Sequence, residues 1–151
     1  MQDAHPDDVA GVQAWFHRLA QHVRDVDFAG ARPIFAPDML AFGTFTDFMT
    51  GREEAERQQW RNVWHHIDNF RWRPDIRVIV SPDRLQAVGM GVFDSTGYTR
   101  DGVAYDRPGR ATVVFGRAAI GEPWVAQHTH LSLFRDVPTQ SFKAKPEKPS
   151  A

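Results

Sequence analysis

Glu122-Pro123-Trp124-Val125-Ala126-Gln127-His128-Thr129-His130-Leu131-Ser132-Leu133-Phe134 is the stretch whose reading decides the fold. Side chains on a strand alternate between its two faces. In a regular strand, Trp124, Ala126, His128, His130 and Ser132 share one face. Val125, Gln127, Thr129, Leu131 and Leu133 share the other. Both faces carry bulky groups, so both are expected to be covered, as in the centre of a sheet.

Working outward, residues 110–117 read as the preceding strand, entered through the turn Arg107-Pro108-Gly109 and left through a loop over 118–123. Residues 85–98 form another strand. Ala87, Gly89 and Gly91 make one of its faces small, as though another element packs closely there. Val88, Met90, Val92 and Asp94 line the other. Phe70, Trp72, Ile76, Val78 and Val80 alternate with Arg71, Arg73, Asp75, Arg77 and Ile79. That is a half-buried strand, with an edge or bulge at Pro74. Met39-Leu40-Ala41-Phe42-Gly43 and Asp47-Phe48-Met49 are two short strands.

Helices precede the sheet. Val9, Val12, Phe16, Leu19 and Val23 recur at helical spacing. Asp7 or Asp8 is placed to cap this helix, and Asp27 to cap a short second one. Thr50 and Glu53 have the spacing of a capping box. The helix they would start carries Ala55, Gln59, Trp60, Val63 and Trp64, with Glu56 on the same stripe. Helices first and a long antiparallel meander after them predict an α+β fold, with the helices on one face of a curved sheet.

The totals set limits. The chain has 151 residues, the size of one domain. A domain of this size hides roughly two thirds of its unfolded surface. A net charge of -1 gives no global attraction to nucleic acid or anionic membrane. No cysteine is present, which excludes disulfides and thiol chemistry and fits a reducing cytoplasm. Residues 1–8 are polar and acidic, unlike a signal peptide, and no stretch has a membrane span's length. The expected layout is an extension over 1–8, one domain over 9–136, and a disordered tail over 137–151, rich in Pro, Lys and Ser.

Phe42-Gly43-Thr44, Gln59-Trp60-Arg61-Asn62-Val63-Trp64, Ser95-Thr96-Gly97, Arg107-Pro108-Gly109-Arg110-Ala111-Thr112 and His128-Thr129-His130-Leu131-Ser132-Leu133 together resemble the SnoaL-like, DUF4440-type branch of the NTF2-like superfamily. The resemblance implies a cone-shaped α+β barrel with a deep apolar pocket, and a homodimer packed through the outer face of the sheet. The superfamily includes polyketide cyclases, steroid isomerases, dehydratases and domains without a reaction, so the fold does not fix a function. Arg61-Asn62-Val63-Trp64 also looks like a helix end in the association domain of calcium/calmodulin-dependent protein kinase II. The tryptophan matching Trp64 borders the pocket there. Two pocket arginines of that family align with Thr112 and Leu131, and neither is Arg here. Arg110, on the strand face of Thr112, is the candidate substitute.

The expected pocket comprises Phe42, Phe48, Trp60, Trp64 and Phe93, with Arg110, Thr112, Gln127, Thr129 and Leu131. The resemblance turns Gln127, Thr129 and Leu131 inward and sends His128 and His130 to the dimer face. That pair has metal-ligand spacing. A cupin-type site, however, adds a carboxylate a few residues on, and none follows, so no metal or other cofactor is expected. Acid–base chemistry would fall to Asp94, Glu56 or Asp47. The region matching the isomerase acid, Phe42-Gly43, holds none.

The leading expectation is a homodimer that binds a small apolar molecule in this pocket, with no demonstrated catalysis. The alternatives are a cyclase, isomerase or dehydratase acting on an apolar carbonyl compound, and a dimeric interaction module. Neither nucleic acid nor membrane is an expected partner.

Overall fold

Helix α1 (Pro6–Asp25) starts with Pro at its first turn, where no backbone N–H is needed. The computed structural model describes residues 3–149, so two residues at each end of the expected layout lie outside the described residues. The cap is His5, whose ring accepts from the Asp7 amide. Neither Asp7 nor Asp8 caps the helix. Asp8 turns inward, and Arg84 and Arg117 bind its carboxylate at 2.6 and 2.7 Å. Val12, Phe16, Leu19 and Val23 are buried as their spacing predicts, together with Trp15 and Ala20. Val26 ends the helix in a left-handed conformation. Asp27 then caps α2 (Phe28–Ala31) through the Gly30 amide, as expected.

Among the described residues eight strands form one mixed sheet: β1 (Phe35–Phe42), β2 (Phe48–Thr50), β3 (Asp68–Trp72), β4 (Arg77–Val80), β5 (Gln86–Tyr98), β6 (Ala104–Asp106), β7 (Gly109–Gly116) and β8 (Val125–Leu133). The order is β2-β1-β8-β7-β5-β3, with β4 and β6 also paired to β5. The quoted stretch therefore runs through the interior of the sheet. β8 is antiparallel to β7 but parallel to β1, so the sheet is not wholly antiparallel. Most of the chain lies between β1 and β8, so no hairpin constrains their relative direction. At Pro74 the expected single strand over 70–80 breaks into β3 and β4.

The small face of β5 receives α1. A Cβ on Gly89 would lie 2.5 Å from the Phe16 ring, so glycine there is what lets the helix approach. The sheet curves around the buried apolar side chains of α1 and of the helical run 52–66, giving an α+β cone.

That run begins as α3 (Arg52–Ala55), widens into a π turn (Glu56–Trp60), and continues as α4 (Arg61–Val63) and a 3-10 turn (Trp64–His66). The Thr50 capping box does not form. Gly51, at φ 92°, occupies the cap position. Glu54 rather than Glu53 reaches back, accepting from the Thr50 amide at 2.7 Å.

Residues 137–149 contain no helix or strand, yet they are fastened along the molecule. Lys143 and Lys145 pair with Asp68, Lys148 with Asp25 and Asp27, and Glu147 with Arg61. His65 and His66 meet the carbonyls of Lys145 and Lys143. The low apolar content behind the expectation of disorder is real, and polar contacts hold the segment instead. Among the described residues no helix is long and apolar enough to cross a membrane.

Candidate functional site

Between the inner face of the sheet and the helices lies a hollow of about 50 Å³. Leu19 and Val23 reach it from α1, and Trp60 and Trp64 from the helical run. Phe70, Trp72 and Phe93 close another side, and Ala111, Val113, Thr129 and Leu131 form the floor. Trp60 and Trp64 stack with ring centroids 5.0 Å apart and planes 12° apart. Phe70 and Phe93 stack at 4.9 Å. Two stacked aromatic pairs therefore form part of the wall.

One extra residue in β8 sets which side chains face the hollow. Val114 pairs with His128 and Phe115 with Ala126, so Gln127 is left over as a bulge. Before the bulge Trp124 and Ala126 are buried; after it Thr129 and Leu131 face inward. His128 and His130 point outward. Strict alternation would have placed Ala126 with the histidines and Gln127 with Thr129. Instead Gln127 is exposed, with its amide beside Gly116.

Trp60, Trp64, Phe93, Thr129 and Leu131 border the hollow. Arg110 and Thr112 do not. Both are exposed, because β7 turns Gly109, Ala111, Val113 and Phe115 inward, and Arg110 covers the Phe134 ring at 4.7 Å. Phe48 is 68% exposed. Phe42 touches the edge of the hollow, but its ring packs against Phe48 at 4.6 Å and His130 at 5.2 Å, on the outer face.

The candidate bases are placed elsewhere. Asp94 is held by Arg73 at 3.0 Å, which lowers its pKa. Glu56 is bound by Arg32 and Arg61 at 2.6 and 2.9 Å, and the Arg32 contact leads in holding its pKa down. Asp47 is exposed. Among the described residues lining the hollow there is no Asp, Glu or His. His128 gives its Nδ1 to the Leu40 carbonyl at 2.8 Å, and no group of three metal-binding side chains occurs among the described residues.

Sequence reasoning missed Arg107, taking it for a turn residue. It is 2% exposed and lines the hollow. Its backbone is clamped by Ser95: the amide donates to the Ser95 carbonyl, and the Ser95 hydroxyl donates to the Arg107 carbonyl. Its Nη2 donates to the Thr139 carbonyl at 3.0 Å, while its Nε has no partner among the described residues. Burial pushes its pKa down from the usual arginine value, and nearby Tyr105 opposes that. One signal was available. Arg107 keeps the parity of Gly109, Ala111, Val113 and Phe115, extended back through Pro108.

The model of the SnoaL-like domain family matches residues 12–136. No curated protein matches the chain. Among solved structures, a ketosteroid isomerase-like protein from Erwinia carotovora atroseptica superposes with a TM-score of 0.72 at 14% identity, covering 86% of this chain and 98% of that one. An NTF2-like superfamily protein from Salmonella enterica gives 0.72 at 15%, covering 86% and 93%. The association domain of CaMKII from C. elegans gives 0.58 at 17%, covering 83% and 92%. At these identities the shared property is the fold.

Proposed function

The chain belongs to the SnoaL-like domain family, and from that premise we propose that it is a dimeric receptor for a small molecule held in the aromatic hollow. The observation that carries this reading is the chemistry of the wall. Stacked Trp60 and Trp64 face Phe93 and Leu131, with no carboxylate or imidazole among the described lining residues. An acid–base enzyme needs such a group within hydrogen-bond reach of its substrate. Asp94 and Glu56 are engaged by arginines outside the hollow. Hydrophobic and aromatic walls are what ligand sites use to enclose apolar groups.

Xenon, a neutral apolar atom small enough for this hollow, tests the reading. Under xenon pressure the side-chain resonances of Trp60, Trp64 and Leu131 are expected to shift saturably in NMR spectra, while those of the outer face stay fixed. No response at the hollow, with no small molecule retained in native mass spectrometry, would remove the basis for a receptor.

Dimerisation through the outer face is supported by the apolar side chains it leaves in solvent. Leu40 is 46% and Phe48 68% exposed, next to Phe42 and His130. Similarity to a domain named for association supports the same reading. Light scattering at micromolar concentration is expected to give twice the chain mass for the wild type and the single-chain mass for Phe48→Asp. A monomeric wild type would refute the dimer and leave the hollow untouched.

A further inference from the structure

We propose that residues 137–149 are a latched strap over the entrance to the hollow, and that its release sets how fast a guest enters and leaves. The proposal rests on the receptor reading above.

The hollow lies toward one end of the cone, and the strand registers show which. β1 and β8 run parallel and finish there, at Phe42 and Leu133. β7 starts there, with Gly109 opposite Leu133 on one side and Phe93 on the other. β3 starts there too, with Asp68 opposite Thr96. Phe42, Gly43 and Thr44 at the end of β1, and Arg107 just before β7, are among the lining residues.

The strap leaves the end of β8 and crosses this end of the cone. The Arg107 guanidinium donates to the Thr139 carbonyl at 3.0 Å, and the Tyr105 hydroxyl to that of Gln140 at 3.1 Å. Ser141 joins two elements: its hydroxyl donates to the His66 carbonyl and accepts from the Tyr98 amide. Lys143 and Lys145 reach Asp68 at the start of β3, and Lys148 reaches Asp27 just past the end of α1. The strap thus ties together the sheet, the helical run and α1, the elements that carry the wall.

Thr139, Gln140 and Ser141 also border, with Phe45, Asn62 and His66, a cleft of about 400 Å³. Phe45 follows Thr44 and Thr139 is bonded to Arg107, so the cleft adjoins the hollow at the loop and at the strap. A guest's route in runs through this cleft, with the strap as one bank.

The latch is polar and local. Among the described residues of the strap only Ser141 is buried, and no helix or strand supports it. Its ion pairs are part-exposed, and such pairs hold weakly and weaken further with salt. A segment with few buried apolar contacts opens locally while the core stays folded. These residues also lie beyond the 12–136 that match the family, so the family's common domain does not supply them.

The test uses the full chain, as wild type and as Lys143→Glu with Lys145→Glu, which sets negative charge against Asp68. Amide hydrogen exchange at Phe142 and Lys148, bonded to the Tyr98 and Val26 carbonyls, reads the strap, and Val113 reads the core. Saturation transfer between free and bound xenon reads passage into the hollow. In the variant the strap amides are expected to exchange at least about tenfold faster, with Val113 unchanged. Xenon is expected to enter and leave at least about tenfold faster, at an affinity within about threefold of the wild type. If the variant does not fold, the wild type between about 0.01 and 1 M salt, where the screening length falls from ~30 to ~3 Å, gives the same comparison.

Strap amides freed with no change in xenon exchange would overturn the lid, as would strap amides that stay protected in both comparisons. Loss of xenon affinity on release would also overturn it, showing that the strap builds the hollow rather than gates it. Each of these results leaves xenon binding by the wild type, and so the receptor reading, standing. A wild type that takes up no xenon defeats the receptor reading, and the lid falls with it.

Discussion

Asp8→Ala is expected to lower folding stability by about 3–5 kcal/mol, the usual result of removing one partner from a buried ion pair. Asp8 is 1% exposed and holds two guanidiniums, those of Arg84 and Arg117. Arg117 also lies 3.9 Å over the Trp124 ring, a second contact that holds it beside the carboxylate. The triad ties the start of α1 to the β4–β5 turn and to the end of β7, joining helix layer to sheet. Urea unfolding of the variant measures the loss, and Asp7→Ala is the control. The Asp7 side chain is 90% exposed, and its removal is expected to cost under about 0.5 kcal/mol. A cost of Asp8→Ala below about 1 kcal/mol would show that the cluster relaxes and hydrates its arginines.

The same group gives a pH signature. Arg84, and then Arg117, outweigh burial and hold the Asp8 carboxyl at about 2, below its ordinary 3.8. A lowered folded-state pKa means stability that is fully present above pH 4 and is lost as pH falls through about 2. The amount is about 2 kcal/mol. Asp68 falls in the same window: burial raises it, and Lys143 and Tyr98 outweigh that to leave it at about 2. The difference between wild type and Asp8→Asn therefore isolates the Asp8 share. It is expected to be largest above pH 4 and to narrow toward pH 2.

Phe16→Ala is expected to cost about 3–5 kcal/mol by cavity formation. Phe16 is fully buried, meeting Trp72 edge-on at 4.7 Å and Trp15 at 5.6 Å. It lies against the glycine face of β5, and it supports Trp72, a wall of the hollow. The opposite insult, Gly89→Val, drives a side chain into the same ring and is expected to cost about 1–3 kcal/mol. Chemical denaturation measures both. In Phe16→Ala the Trp72 indole signal is also expected to broaden as its support is lost. A Phe16→Ala loss under about 1 kcal/mol would mean that neighbouring rings collapse into the space.

Residue types with strong local rules were legible. The helical spacing of Val12, Phe16, Leu19 and Val23, the small face of β5 and the Asp27 cap all stand in the structure as their spacing implies. The inward side chains of the hollow were legible where the strand is regular, as at Thr129 and Leu131. Caps were less so. Several acids near each helix start can serve, and distant arginines claimed Asp8 while Glu54 displaced Glu53.

The sequence by itself determined the class of fold, because periodicity and residue size act locally along the chain. The tertiary structure alone decided that Gln127 is an extra residue, since a bulge exists only relative to the partner strand that skips it. It also decided that Arg110 faces solvent while Arg107 is sealed inside. Both are arginines near one turn, and what separates them is the direction of the inner face of β7, fixed by packing across the sheet.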